Sequence, residues 1–249
     1  MSPLDRRDFL RRSALAAGGL LAPSLSGLTS CATSPSLGNG GSLPEARLGN
    51  GGYGALIPSR ELDGIISIPT GFRAALLSTA GEEMVGGVVP YAFDGMAAFR
   101  AGRDRVRLIR NHEVRDAAAV SRPFGERPYD QAGPGGTTTV ELLLRPDGEA
   151  RIIRQFASLT GTCVNCAGGP TPWNSWISCE ETVEGTAAGR GRNHGYTFEV
   201  ASAANGPVAP VPLRAMGRFE HEAVAVDPAT GRVYLTEDRT PAGFYRFTP

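Results

Sequence analysis

Four short clusters in this 249-residue chain carry residue types that could hold a metal or move protons, and each stands against an apolar run. Arg110-Asn111-His112-Glu113 follows Val106 to Ile109. Cys163-Val164-Asn165-Cys166-Ala167-Gly168-Gly169 leads through Pro170-Thr171-Pro172 into the run that begins at Trp173. That run ends in Ser178-Cys179-Glu180-Glu181. Glu220-His221-Glu222 precedes Ala223 to Val226, and Glu237-Asp238 closes the next apolar segment. Carboxylates gathered from several segments repel one another and are tolerated only when partly protonated or neutralised by a cation. Acid and amide oxygens are hard ligands that suit Ca²⁺ or Fe³⁺, and a thiolate adds a preference for a transition metal.

Plainer readings stand beside this one. A lone Glu at a strand end is more often a solvated turn residue. Cys163 and Cys166 have the spacing of a disulfide, and Cys163 paired with either Cys166 or Cys179 would suit an exported protein. The same spacing is half of a structural zinc site, but only Cys179 remains for the second half. His112, His194 and His221 form no HExxH pattern, and no GxSxG elbow supports a serine nucleophile. All 25 basic residues are arginine. The absence of lysine excludes a GK[ST] phosphate loop and Schiff-base chemistry. With 25 acidic residues the formal net charge is zero, so nothing suggests a nucleic-acid partner.

The elements that must position these residues read as short strands. Glycine (33) and proline (19) are frequent, and no segment keeps a capped helical period over three turns. Strands are expected over 64–69 and 72–78. Hairpins are expected from 95–99 with 106–110, from 137–144 with 150–156, and from 223–227 with 232–236. Further strands are expected over 173–179, 195–200 and 243–247. Arg145-Pro-Asp-Gly148 and Pro228-Ala-Thr-Gly231 supply the turn glycines. The class is all-β. Strand pairs recurring every ~40 to 50 residues point to a β-propeller, whose equivalent strand ends face a central channel. At about 40 residues per blade the mature part would hold at most about five blades, fewer are signalled, and the sequence stops on Phe247-Thr248-Pro249 straight after an apolar strand with no closing element. It therefore reads as an incomplete propeller over 53–249, the N-terminal portion of a longer protein.

The first 31 residues read as an address. Asp5-Arg6-Arg7-Asp8-Phe9-Leu10-Arg11 has the twin-arginine export pattern, and an Ala-, Gly- and Leu-rich stretch follows from Ser13 to Leu28. Leu28-Thr29-Ser30-Cys31 resembles a lipobox, which would put a lipid on Cys31; a chance cysteine near an ordinary cleavage site is the alternative. Residues 32–52 read as a flexible tether. Twin-arginine export carries folded proteins, which suits a protein that loads its metal before leaving the cytoplasm.

Asn165-Cys166-Ala-Gly-Gly169-Pro-Thr171-Pro172-Trp173, followed by Cys179-Glu180-Glu181, resembles the signature of PhoX-type alkaline phosphatases. Asn111-His112-Glu113 upstream and Glu220-His221-Glu222 downstream fit that family in order and spacing, as does the export signal. The resemblance implies a β-propeller with an iron–calcium cluster that hydrolyses phosphate monoesters. It makes Cys166 the iron-binding cysteine, Glu222 a carboxylate ligand, Glu181 a calcium ligand and Glu113 a further ligand. Asn111 becomes a donor to the substrate phosphate, and Glu180, Glu237 and Asp238 are weaker candidates. A monomer in the periplasm or at the cell surface follows, meeting small phosphate esters and the export machinery. The other reading is a non-catalytic, calcium-stabilised propeller used for surface binding. Cys166 separates the two, because structural calcium has no use for a thiolate.

Overall fold

The structure is a computed structural model that describes residues 53–116 and 125–249. The export signal, Cys31 and the tether lie outside the described residues. The chain divides into two compact units, whose described parts are residues 53–76 and the remainder from Leu77.

In the first unit β1 (Leu56–Pro58) pairs antiparallel with β2 (Ser67–Pro69). The strand expected over 72–78 does not form. Phe72 and Leu76 stay exposed, and among the described residues no strand edge takes up that backbone.

Among the described residues, the second unit's paired strands are all antiparallel, with two short 3₁₀ turns and one isolated parallel bridge between Val85 and Phe156. A small hairpin joins β3 (Glu83–Met84) and β4 (Gly87–Val88). β5 (Phe93–Arg100), β6 (Arg105–His112), β7 (Gly135–Leu144) and β8 (Ala150–Thr162) then form a four-stranded meander in sequence order. β9 (Asn165–Pro170), β10 (Ser175–Glu180) and β11 (Thr197–Ala201) form a three-stranded sheet. β12 (His221–Val226), β13 (Val233–Glu237) and β14 (Phe244–Phe247) form another. Among the described residues no sheet closes on itself. The architecture is all-β, a set of small meanders of the kind that make propeller blades.

The middle sheet is covered on both faces, so every residue of β10 is buried. Side chains alternate along a strand, and β10 uses both sides. Trp176 packs with Phe99, Ile109, Leu159 and Phe198 toward the four-stranded sheet. Ile177 and Cys179 pack with Val224, Val233, Leu235 and Phe247 toward β12–β14.

β9 was expected only as a connection into the strand beginning at Trp173; it is itself a strand. Its small residues decide this. A Cβ on Gly169 would stand 1.8 Å from the Val224 carbonyl oxygen, and one on Gly95 of β5 would stand 2.7 Å from Ala167 Cα. β9 therefore touches both flanking sheets, backbone against backbone. Gly169→Ala should cost about 3 kcal/mol or more in urea unfolding, because the clash is with main chain and has no rotamer to relieve it. Gly206→Ala, where an added Cβ meets nothing within 4 Å, should change stability by less than about 0.5 kcal/mol.

Candidate metal centre

Strand irregularities fall where the candidate ligands stand. Ladder register shifts between Phe93 and Met96 in β5, and between His221 and Val224 in β12. The β9–β10 ladder shifts between Ser178 and Glu180, leaving Cys166 and Ala167 opposite Cys179 alone. Bulges re-aim side chains next to functional sites. Here they set Asp94, Glu222 and Cys166 out of plain alternation.

The turn into β9 fixes two more acids. Val164 adopts φ 50°, a left-handed conformation costly for a β-branched residue. Its N–H donates to the Val114 carbonyl at 3.2 Å, and its own carbonyl accepts from Glu181 N–H at 2.9 Å. Glu113 N–H donates to the Ala92 carbonyl at 2.9 Å. The backbone at Glu181, and at Val114 beside Glu113, is thus tied to the turn that enters the strand carrying Cys166.

Cys166 Sγ and carboxylate oxygens of Glu181 and Glu222 all lie within 4.8 Å of one another. Ligands on opposite sides of a cation at about 2.3 Å are about 4.6 Å apart, so this donor set fits one ion. The Cys166 thiol faces backbone carbonyls, with His221 O at 3.2 Å and Glu222 O at 3.6 Å. Burial, then Cys179 and Glu222, push its pKa far above the ordinary thiol range. A thiolate forms there only beside a compensating positive charge. Glu181 is raised to about 6, by burial first and by Glu113 and Glu222, against the opposing pull of Arg115. Arg115 Nη2 bridges Glu113 Oε1 at 2.5 Å and Glu181 Oε2 at 2.6 Å.

Asp94 completes this group and escaped the sequence reading. Its pKa rises to about 6 through partial burial, then the neighbouring Glu113 and Glu222. An acid before a glycine at a strand start is the only signal it gives in sequence.

Other candidates are placed differently. Asn111 is fully buried, and all four of its amide hydrogen bonds are used within the protein. Nδ2 donates to Cys166 O at 2.8 Å and Ala167 O at 2.7 Å, while Oδ1 accepts from Trp176 Nε1 and Ser178 Oγ, each at 2.9 Å. The donor expected for a substrate phosphate is thus committed to holding β9. Glu180 points away from Glu181, as successive strand residues do. It accepts from the Cys163, Gly195 and Tyr196 N–H groups and from His194 Nδ1. Glu237 accepts from Gly243 N–H and the Tyr245 hydroxyl, and Asp238 N–H donates to Glu220 O.

Cys163, Cys166 and Cys179 are free thiols, so the disulfide considered for Cys163 is not formed. Cys163 Sγ instead lies 3.6 Å from His194 Nε2. His194 is held between Glu180 Oε1 at 2.6 Å and Asp130 Oδ2 at 3.1 Å. Burial alone would lower its pKa, but Cys163 and Glu180 outweigh this and lift it to about 10. His112 and His221 behave oppositely, lowered to about 4 chiefly by burial, and stay neutral. His221 Nδ1 is the one buried side-chain nitrogen or oxygen with no hydrogen-bond partner among the described residues.

The chain is thus an all-β protein that brings one thiol and two acids, Cys166, Glu181 and Glu222, within one ion's reach, with Glu113 and Asp94 electrostatically coupled to them. The family model for alkaline phosphatase PhoX matches residues 51–249, and the chain belongs to that family, a family of phosphatases. No curated protein and no solved structure matches it.

His194 sets a pH dependence. Its folded pKa is raised to about 10, so its stabilising contribution is complete below the unfolded value of about 6.5. That contribution is lost as pH climbs through 10. The thermal midpoint should therefore decline from about pH 6.5 to about pH 10. His194→Gln should flatten that limb and cost about 3 kcal/mol at neutral pH, since Glu180 and Asp130 lose their shared counter-charge.

Proposed function

We propose that this chain is an exported, metal-dependent phosphomonoesterase whose centre takes iron through Cys166 and calcium through its carboxylates. The observation that carries this reading is the convergence of the Cys166 thiol with Glu181 and Glu222 within one ion's reach. Glu113 and Asp94 are electrostatically coupled to that set.

Iron and calcium, when bound, would supply the positive charge that neutralises a phosphomonoester dianion and stabilises its leaving oxygen. The chain's own residues prepare the place. Cys166 and Glu222 would hold iron, and Glu181, Glu113 and Asp94 would serve calcium. Asn111 fixes the Cys166 and Ala167 carbonyls and so the direction in which Sγ points, acting as a positioning residue. Glu180 and His194 anchor the strand end that presents Glu181. Asp94 and Glu181 hold protons below about pH 6 and must give them up to bind a cation, which favours cation binding at higher pH. The burial of Cys166 favours this reading over a calcium-stabilised binding module, which would not need a thiol at the ligand position.

Arg6-Arg7 and the stretch to Leu28 support export by the twin-arginine route, with a lipid on Cys31 holding the protein at a membrane surface. Lysine substituted at both Arg6 and Arg7 should keep the protein in the cytoplasm; undiminished export would refute that route. Cys31→Ser should release the exported protein from membrane fractions.

The metal assignment is tested by elemental analysis with hydrolysis of a chromogenic phosphate monoester at alkaline pH. The purified protein should contain iron and calcium; zinc alone, or no metal, would refute the assignment. Cys166→Ser replaces a soft thiolate with a neutral hydroxyl and should remove iron and lower activity by about 100-fold or more. Cys163→Ser, outside the ligand set, should retain iron.

A further inference from the structure

We propose that Arg115 is a tethered counterion of the metal-free centre, displaced from Glu113 and Glu181 when a divalent cation enters. The inference rests on the metal centre proposed above and adds a competitor for its ligands. A single guanidinium nitrogen, Nη2, lies 2.5 Å from one carboxylate and 2.6 Å from the other. One positive charge therefore sits between two acids, where a bound cation would sit. The two acids are largely buried, at 25% and 17% side-chain exposure, whereas Arg115 is 60% exposed. The acids are held by the fold, and the arginine reaches in from the surface.

The charges explain why such a reach is useful. Glu181 feels Glu113 and Glu222, and Asp94 feels the same two acids. Without a cation these groups repel, and the strand ends that carry them are pushed apart. Arg115 offsets part of that repulsion with a charge that is covalently attached and always available. A divalent cation brings twice the charge to the same oxygens, and oxygens engaged by it lose most of their attraction for the guanidinium. The arginine thus holds the empty centre together and must yield for it to fill, so it stabilises the empty form and weakens cation binding by the same amount.

The test uses the whole chain stripped of metal by a chelator, with calcium alone as the probe. Calcium affinity by calorimetry and thermal midpoints with and without calcium are compared for the wild type, Arg115→Gln and Arg115→Lys. Arg115→Gln should bind calcium about fivefold more tightly, the size expected of a pair of partly exposed ion pairs. Its midpoint should fall when stripped and match the wild type when saturated. Arg115→Lys keeps the charge and should lie between the two. The gap between wild type and Gln should narrow at high salt, which screens exposed charge. Equal or weaker calcium binding by Arg115→Gln would overturn the inference. So would equal loss of midpoint in both states, which would make Arg115 a plain structural tie. If the Gln variant unfolds when stripped, recovery of its near-ultraviolet dichroism on adding calcium supports the proposal, and failure to recover overturns it. A wild type that takes up no calcium removes the metal centre itself, an outcome distinct from equal binding by wild type and variant.

Discussion

The close approach of β9 to its neighbours is the constraint on which the rest of the centre depends. β9 lies in contact with β5 and β12 because Gly95 and Gly169 present no Cβ to the facing backbone. Any larger residue would hold the sheets apart, and Cys166, Glu222 and the Asp94–Glu113 pair would no longer share one locality. The Gly168-Gly169 pair in the sequence signature is therefore a packing requirement first. Its effect on chemistry comes through distance.

Asn111 turns that approach into orientation. Its amide carries two donors and two acceptor positions, and all are filled by groups on β9 and β10. A side chain of the four-stranded sheet thereby sets the backbone beside Cys166 in the next sheet. Replacing one interaction in such a network strands a buried polar partner, which costs more than the single bond is worth. The Val164 turn adds to this rigidity, held in an unfavourable conformation by hydrogen bonds to Val114 and Glu181.

Two positive groups manage the acids in different ways. His194 sits fully buried between Glu180 and Asp130, away from the proposed ligands. Arg115 reaches in from the surface to Glu113 and Glu181. Adjacent residues Glu180 and Glu181 are thus assigned opposite tasks by strand alternation alone. One is consumed by the protein's own N–H groups and imidazolium, and the other meets the half-exposed guanidinium of Arg115.

The sequence by itself determined the all-β class, most of the hairpins and the family. These follow from turn glycines, short apolar runs and rare strings, which are local or nearly so. Only the tertiary structure decided the rest. The apolar run at 72–78 looks like a strand, but strand formation needs a partner edge, and none is supplied there among the described residues. Asn111 looks like a substrate donor until its four partners are known, and these lie more than 50 residues away. Cys163 has disulfide spacing, yet its thiol meets His194. Asp94 and Arg115 carry no motif. Their roles depend on bulges and on charges from other strands. The physical reason is the same in each case: a residue's type is written in the chain, whereas its partners are fixed by which sheets can touch.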